Sequence, residues 1–284
     1  MKVHINWNGS ITAPGDFRIS PDNRGLRYGD GLFETMKARK GKIDLEPLHF
    51  ERLFSSLRLL QFEIPSHFTA EYLREQVRLL LEKNSHTELA RARLMVYRGD
   101  GGVYDSLDHR PQLLIQSWPL LEPASNPHGK LLQIDVFHDA RKACDVFSSL
   151  KSNNYLCYLM GALFAKNRGL DDALILNAYG RIADATIANV FIVTDGMIKT
   201  PPLTEGCVNG VYRRYLLQCF QKDGLAFREE PLKVEELMEA EEVFLTNAIT
   251  GIRWVHRCGG TIYGNETSVH LHTRYAIPGD GFQT

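Results

Sequence analysis

The stretch Ser148–Asn177, SSLKSNNYLCYLMGALFAKNRGLDDALILN, places a lysine before a helix pattern rich in apolar residues. Lys151 follows a patch of small apolar and hydroxyl residues, and the Tyr, Leu, Met, Ala and Phe residues after it predict a helix. A lysine at a helix start is usually solvated. The alternative is a desolvated lysine, because burial lowers the pKa of the amine and so favours its neutral, nucleophilic form. Position alone leaves both interpretations open, so partner residues are needed.

The composition indicates an ordinary globular protein. The chain has 284 residues, of which 44% are hydrophobic and 24% charged, and its formal net charge is −1. This balance, with no long run of one charge, argues against a nucleic acid or an anionic membrane as the main partner. The five cysteines show no Cys-x-x-Cys pair or zinc-finger spacing, which predicts a reduced, cytoplasmic protein without a structural metal. No apolar stretch reaches the ~18 residues of a membrane-spanning helix.

The order of patterns along the chain predicts an α+β fold. Two hairpins, at VHINWNGSIT and GLFETMKARKGKIDLE, precede two helices and two strands. The segment LLEPASNPHGK contains two prolines and small polar residues, as linkers do. We therefore predict a small α/β N-terminal domain at 1–119, a linker at 120–130 and a larger C-terminal domain at 131–284 that carries Lys151. The residues after Tyr263 are poorly patterned and are predicted to be peripheral.

Three further features are candidate partners of Lys151. Asp184 is either a turn aspartate or a carboxylate that keeps the pyridine nitrogen of a cofactor protonated. Arg52, beside an apolar helix stripe, either extends to solvent or holds a phosphate. The glycines of GCVNGVYRRYLL, at a predicted helix start, expose backbone N–H groups to an anion. Together an amine, a carboxylate and two phosphate anchors indicate pyridoxal 5′-phosphate as cofactor.

The chain resembles the class IV aminotransferases, the fold-type IV pyridoxal-phosphate enzymes. This family includes branched-chain and D-amino acid aminotransferases and 4-amino-4-deoxychorismate lyase. The resemblance covers about Asn8 to Gly260 and rests on four blocks. They are DNRGLRYGDGLFETMKARKGKIDLEPLHFERL, LKSNNYLCYLMGALFAKNRGLDDALILNAYGRIADATIANVFIV, TPPLTEGCVNGVYRRYLL and AEEVFLTNAITGI. It implies a small α/β domain, a larger domain with a β-barrel-like core, and a homodimer.

The resemblance also implies a role for individual residues. Lys151 matches the Schiff-base lysine, which is the catalytic residue, and Arg52 matches the phosphate-binding arginine. Tyr155 falls near a tyrosine that contacts the phenolic oxygen of the cofactor, although the spacing differs slightly. Asp184 matches the pyridine-nitrogen carboxylate. The remaining cofactor-binding matches are Val211 and Tyr212 at the helix start and Asn247 and Ala248 in a second phosphate loop. Tyr28 matches a tyrosine on the substrate side, and the loops around Gly101 and Thr250 are expected to bind substrate.

The sequence departs from the family pattern at several of these positions. The pyridine-nitrogen carboxylate is normally a glutamate, which is one methylene longer than Asp184. Aminotransferases usually have a threonine where this chain has Ala248, whereas the lyases more often have Asn-Ala. RGDGGVYDS resembles the Gly-Gly loop of the lyases but lacks their following arginine. The Arg-x-His of D-amino acid aminotransferases is absent, with Val103 and Asp105 at the nearest positions, which disfavours a D-amino acid substrate.

Three functions remain open at this point. The first is an aminotransferase that moves an amino group from a branched-chain or other hydrophobic amino acid to a 2-oxo acid. The second is the lyase, which releases 4-aminobenzoate and pyruvate from aminodeoxychorismate. The third is a cofactor-binding homologue without turnover, which only the shorter Asp184 favours. Lys151 serves both catalytic routes and does not discriminate between them.

Overall fold

A computed structural model describes residues 3–105, 108–120 and 131–277 of the chain. The chain divides into two compact units. One comprises Met1–Glu122 with Lys151–Asn154, and the other comprises Pro123–Leu150 with Tyr155–Thr284. Apart from Leu120, the predicted linker at 120–130 lies outside the described residues, and the predicted domain boundaries stay a prediction. Among the described residues, no helix has the length and apolar character that a membrane crossing requires.

The first unit is a six-stranded antiparallel sheet with helices packed against it. Its elements are β1 Ile5–Trp7, β2 Ser10–Thr12, α1 Arg24–Tyr28, β3 Gly31–Arg39, β4 Lys42–Ile43, α2 Glu46–Leu59, α3 Ala70–Lys83, β5 Leu89–Arg98 and β6 Pro111–Pro119. The strand order is β2-β1-β6-β5-β3-β4. Leu53 and Leu57 of α2 and Leu73 and Leu80 of α3 are fully buried, because both helices turn one apolar face inward.

Both predicted hairpins are confirmed. β1 and β2 are joined by Asn8 and Gly9 with φ of 50° and 86°, the left-handed pair that a two-residue hairpin requires. Lys40 and Gly41 have φ of 46° and 73° in the turn between β3 and β4.

The second unit is built on a nine-stranded mixed sheet, curled into a half-barrel. Its elements are β7 Leu132–Lys142, α4 Leu156–Asn167, β8 Asp172–Asn177, β9 Ile182–Ala185, β10 Asn189–Thr194, β11 Met197–Thr200, α5 Val211–Asp223, β12 Phe227–Glu229, α6 Val234–Glu239, β13 Glu242–Asn247, β14 Gly251–Cys258, β15 Thr261–Ile262 and α7 Glu266–Tyr275. The order is β12-β11-β10-β13-β14-β7-β8-β9, with β15 paired to β14. The core lies on this sheet, and α4 packs against β7 and β8.

The structure excludes one open interpretation each for Lys151 and Asp184, and it corrects the expectation for the residues after Tyr263. Lys151 does not start a helix, because α4 begins at Leu156 and the segment before it pairs with β3. Asp184 is not in a turn: it lies within β9, where all four residues are buried. The residues after Tyr263 are not peripheral, because α7 buries Leu271 and Tyr275 and packs against β13 and β14.

Candidate active site

Lys151 is held at one end of β3 by backbone hydrogen bonds. The N–H of Phe33 donates to the Lys151 carbonyl at 2.9 Å, and the N–H of Asn153 donates to the Gly31 carbonyl at 2.9 Å. Gly31 allows the Lys151 segment to lie this close to β3. A Cβ at position 31 would lie 2.6 Å from the Val96 carbonyl oxygen and 2.7 Å from the side-chain amide nitrogen of Asn153. The Lys151 amine lies 4.6 Å from the centre of the Phe33 ring. The lysine is thus fixed by the sheet and faces an aromatic ring, as a solvated helix-start lysine would not be.

A buried ion network lies in the same unit and centres on Glu34. Its two carboxylate oxygens accept from Nε and Nη2 of Arg52 at 2.8 and 2.5 Å, and Nδ1 of His49 lies 2.6 Å from Oε2. Arg52 is only 6% exposed, so it does not extend to solvent. Such a two-bond contact fixes the guanidinium plane.

The network shifts the pKa values of Glu34 and His49. Burial by itself would raise the pKa of Glu34, but the charges of Arg52 and His49 and their hydrogen bonds lower it to about 2. Burial lowers the pKa of His49 despite the neighbouring Glu34, and the charges of Arg52 and, to a lesser extent, Lys151 lower it further. Because the ionised Glu34 only accepts, Nδ1 of the neutral imidazole is the donor, and Nε2 is an acceptor. Within the described part of the chain, Nε2 is buried without a hydrogen-bond partner.

Tyr28 and Gly101 are brought together by Arg24. The guanidinium of Arg24 donates to the carbonyls of Gly101 at 3.5 Å and Val103 at 2.8 Å, and lies 5.2 Å from the Tyr28 ring centre. Its Nε donates to Asp30 at 3.0 Å. The ring of Tyr28 also lies 6.1 Å from that of the highly exposed Tyr104. Both predicted substrate-side residues of this unit therefore border one surface.

In the second unit, Asp184 is enclosed by donors. Its Oδ2 accepts from the Tyr158 hydroxyl at 2.6 Å, the Val208 N–H at 3.0 Å and the Lys142 amine at 3.1 Å. Its Oδ1 accepts from the Asn189 amide at 3.0 Å. These contacts satisfy a carboxylate that is only 2% exposed.

The predicted phosphate-binding helix start lies next to Asp184. The Asn189 amide that binds Asp184 also donates to the Val208 carbonyl at 2.8 Å, and Gly210 is the N-cap of α5. A Cβ at Gly210 would lie 1.8 Å from Asn189 Oδ1, so any larger residue requires the Asn189 side chain to move. α5 opens with Val211 and Tyr212, both buried, and has no acidic residue in its first turn. This leaves the positive end of the helix dipole suited to an anion.

The predicted second phosphate loop packs against the same helix start. Asn247 Oδ1 accepts from the N–H groups of Ile249 and Thr250, both at 2.9 Å, and so shapes the turn that contains Ala248. The turn ends at Gly251, where a Cβ would lie 3.3 Å from the Tyr212 hydroxyl. Thr250 is exposed.

Tyr155 is the N-cap residue of α4, and its carbonyl accepts from the Leu159 N–H at 3.1 Å. The structure thus gives each sequence-predicted residue a defined place within its own unit. Their roles toward a cofactor or a substrate stay predictions.

Sequence reasoning missed several residues that surround the predicted ones. His49 precedes Arg52 by one helical turn, a spacing that could have drawn attention to it. Glu34, Lys142 and Tyr158 gave no local signal, because each is distant in sequence from the residue it contacts. Asn189 follows Asp184 by five residues across a β9–β10 turn that the sequence reading did not separate.

The chain is similar to proteins of known family. The family model "Amino-transferase class IV" matches residues 31–258, which is most of the chain. The chain belongs to the class IV aminotransferases.

Its relatives include enzymes of two reaction types. The chain is 30% identical over 271 residues to a putative branched-chain-amino-acid aminotransferase of Methanocaldococcus jannaschii, covering 94% of this chain and 91% of the relative. It is 29% identical over 270 residues to the aminodeoxychorismate lyase of Bacillus subtilis, covering 93% and 89%. The fold matches the branched-chain amino acid aminotransferase of Escherichia coli with a TM-score of 0.87 at 22% identity, over 100% of this chain and 97% of that one. The predicted α+β, fold-type IV architecture is confirmed.

Class IV aminotransferases are pyridoxal-phosphate enzymes, and the residues present fit that cofactor. The Gly210 N-cap of α5 offers an anion site with no acidic side chain in its first turn. The unpartnered Nε2 of His49 marks a polar position within electrostatic reach of Lys151. Within the first unit, Lys151 supplies an amine and Arg52 a guanidinium, and within the second, Asp184 supplies a buried carboxylate, which are groups of the kinds that this cofactor uses.

Proposed function

We propose that this chain transfers an amino group from a branched-chain or other hydrophobic amino acid to a 2-oxo acid. The observation that carries the proposal is the position of Lys151, whose backbone is bonded to β3 and whose amine lies 4.6 Å from the centre of the Phe33 ring. The likeness to the archaeal aminotransferase over most of both chains supports this reaction. The exposed apolar side chains of Val103 and Tyr104 beside Tyr28 support a hydrophobic donor.

Lys151 would bind the cofactor through its amine, and Arg52, Val211, Tyr212, Asn247 and Ala248 would hold its phosphate. Asp184 would face the pyridine nitrogen and Tyr155 the phenolic oxygen. When bound, pyridoxal 5′-phosphate withdraws electrons from the carbon that carries the amino group of the donor. The Lys151 amine, once neutral, removes the proton from that carbon as general base. Fixing both phosphate and lysine keeps the base close to the reacting carbon.

A second candidate is the lyase reaction on aminodeoxychorismate. It is favoured by Ala248, because the lyases of this family more often have alanine at the position where the aminotransferases usually have threonine. The likeness to the lyase of Bacillus subtilis gives the same support. The α-proton transfer by Lys151 is common to both reactions, so the two differ in what surrounds the substrate.

Product analysis on one purified sample tests these alternatives. Leucine, isoleucine, valine and D-alanine are each incubated with a 2-oxo acid acceptor, and aminodeoxychorismate is incubated alone. We expect branched-chain 2-oxo acids from the L-amino acids. Formation of 4-aminobenzoate and pyruvate instead would establish the lyase. Cofactor bound without any product would identify a homologue without turnover.

We further propose that the protein is a homodimer. The stripe of α4 residues Leu156, Leu159, Met160 and Leu163 repeats at helical spacing, and each side chain is 44–67% exposed. Apolar stripes of this kind usually mark an interface, and a second copy of the same stripe is complementary to it. Light scattering on Leu159→Glu should show a shift toward monomer, and Ile262→Glu, at an exposed apolar residue of β15, is the control. An unchanged dimer in Leu159→Glu would reject this face.

We also propose that the protein is cytoplasmic. All five cysteines lie among the described residues and are free thiols. Free thiols are typical of a reducing compartment, which supports a cytoplasmic protein.

A further inference from the structure

The short side chain of Asp184 is surrounded by a set of donors that a longer carboxylate would displace. Tyr158, Lys142 and Val208 all donate to Oδ2, and Asn189 donates to Oδ1. A carboxylate offers about four lone-pair sites, so these four donors nearly exhaust its capacity. The carboxylate is therefore held in one place.

Tyr158 has the central contact of this group. It lies in the first turn of α4, and its ring packs on the buried cluster of Phe137, Ala165, Ala173 and Ile175. Its hydroxyl donates to Asp184 at 2.6 Å and accepts from the Lys142 amine. Burial and the nearby Asp184 charge raise the pKa of Tyr158 well above its ordinary value, so the hydroxyl keeps its proton. It is consequently a permanent donor to the carboxylate.

Lys142 supplies the opposite charge. Its amine lies 3.1 Å from Asp184 Oδ2, and the two side chains are 12% and 2% exposed. At this depth an uncompensated carboxylate would be costly, and a nearby ammonium offsets that cost. Lys142 therefore places a positive charge beside the buried carboxylate, while Tyr158 keeps that carboxylate in position.

We propose that Tyr158 and Asp184 are a matched pair, in which Tyr158 is a positioning residue for the shorter carboxylate. A glutamate would carry its oxygens about one C–C bond, roughly 1.5 Å, further along the side chain. A tyrosine hydroxyl 2.6 Å from Asp184 Oδ2 leaves no room for that advance. Asp184 therefore depends on Tyr158, and a glutamate at position 184 requires a smaller residue at position 158. That Asp184 faces the pyridine nitrogen rests on the function proposed above.

A double-mutant cycle tests the pairing. The variants are Tyr158→Phe, Asp184→Glu and the combination of both. Tyr179→Phe, at an exposed tyrosine, and Asp172→Glu, at another buried aspartate of this unit, are the matched controls. Three quantities are measured for each: the melting temperature without cofactor, the Kd for added pyridoxal 5′-phosphate, and the pH dependence of the visible absorbance of the bound cofactor.

We expect Asp184→Glu alone to weaken cofactor binding about tenfold and to lower the melting temperature. Because contacting residues couple strongly, the double variant with Tyr158→Phe should recover most of both losses. Tyr158→Phe alone should shift the pH profile of the absorbance, which a purely structural role would leave in place. The controls should behave as wild type in the pH profile.

Two results would overturn the proposal. One is a double variant whose losses equal the sum of the single losses. The other is that Tyr158→Phe folds while both Asp184→Glu and the double variant fail to fold. The proposal requires that loss of the Tyr158 hydroxyl makes room for the longer glutamate, so the double variant should fold. If the wild type binds no pyridoxal 5′-phosphate, the proposed function fails, whereas coupling of the melting temperatures still decides on the pair.

Discussion

Both carboxylate oxygens of Glu34 on β3 bind Arg52 on α2, at 2.8 and 2.5 Å. The two side chains are 1% and 6% exposed, so this is a buried ion pair within the first unit. His49 contacts the same carboxylate, and the positive charge of Lys151 contributes to lowering the pKa of His49. The orientation of the predicted phosphate-binding arginine is therefore set by a residue eighteen positions earlier in the chain.

Replacement of Glu34 by Gln should lower the free energy of unfolding by about 3–5 kcal/mol, because it removes one partner of a buried ion pair. It should also weaken the binding of pyridoxal 5′-phosphate, since Arg52 is no longer held in one plane. Denaturant titration and cofactor titration measure the two effects. The control is Glu75→Gln, which removes a partner of exposed Arg78 and should change the free energy of unfolding far less, because solvent screens this pair. Equal losses in the two variants would contradict the prediction.

Acidification should destabilise the protein in two ranges of pH. The pKa of His49 is lowered from 6.5 by burial, so below pH 6.5 the unfolded chain binds more protons and stability falls. The pKa of Glu34 is lowered from 4.5 to about 2, so its contribution is complete above 4.5 and is lost as pH falls toward 2. Denaturation midpoints measured from pH 8 to 3 should show both ranges. His49→Asn should flatten the upper one, leaving a smaller slope from His86, whose pKa burial also lowers. An unchanged upper slope in His49→Asn would exclude His49 as its source.

Replacement of Lys151 by Ala should abolish covalent attachment of the cofactor. After borohydride treatment of the protein with pyridoxal 5′-phosphate, mass spectrometry of peptides should place the label on Lys151 in the wild type. Lys166→Ala, at the end of α4, is the control and should keep both label and activity. Covalent, borohydride-fixed cofactor in the Lys151→Ala protein would show that the central assignment is wrong.

A methyl group at Gly210 should disrupt the start of α5. Its Cβ would lie 1.8 Å from Asn189 Oδ1, so Asn189 must move, and overpacking of this kind costs about 1–3 kcal/mol. Because Asn189 also binds Asp184, cofactor affinity should fall together with stability. Gly260→Ala is a matched control, since its Cβ would meet no atom within 4 Å. Gly210→Ala with wild-type melting temperature and affinity would contradict the structure at this helix start.

Arg24→Lys should impair substrate binding more than cofactor binding. A lysine lacks the planar fork that bonds Asp30 and the Gly101 and Val103 carbonyls together. Loss of such charged hydrogen bonds should raise KM for the amino donor about tenfold. The matched control is Arg27→Lys, whose partner Asp22 is exposed. A fall in cofactor affinity with KM unchanged would show that Arg24 does not act through this loop.

Local chemistry determined much of the fold. Asn8-Gly9 and Lys40-Gly41 form their turns because glycine and asparagine adopt positive φ with less strain than most residues. This preference depends only on the local sequence. Two helices, α2 and α3, follow the second hairpin, as the order of patterns along the chain predicted. Order and spacing of the four quoted blocks were also sufficient to indicate the family that the comparison confirmed.

What the sequence did not reveal depends on residues that meet only after folding. Position in the chain left Lys151 open as a helix-start residue and Asp184 as a turn residue, whereas the fold pairs the segment of Lys151 with β3, beside Phe33, and buries Asp184 in β9. Their partners Glu34, Tyr158 and Lys142 carry no periodic signal, because ion pairs and hydrogen bonds between distant segments are made by tertiary packing. The sequence by itself determined the elements and the candidate lysine, and only the tertiary structure decided which charges surround each predicted residue.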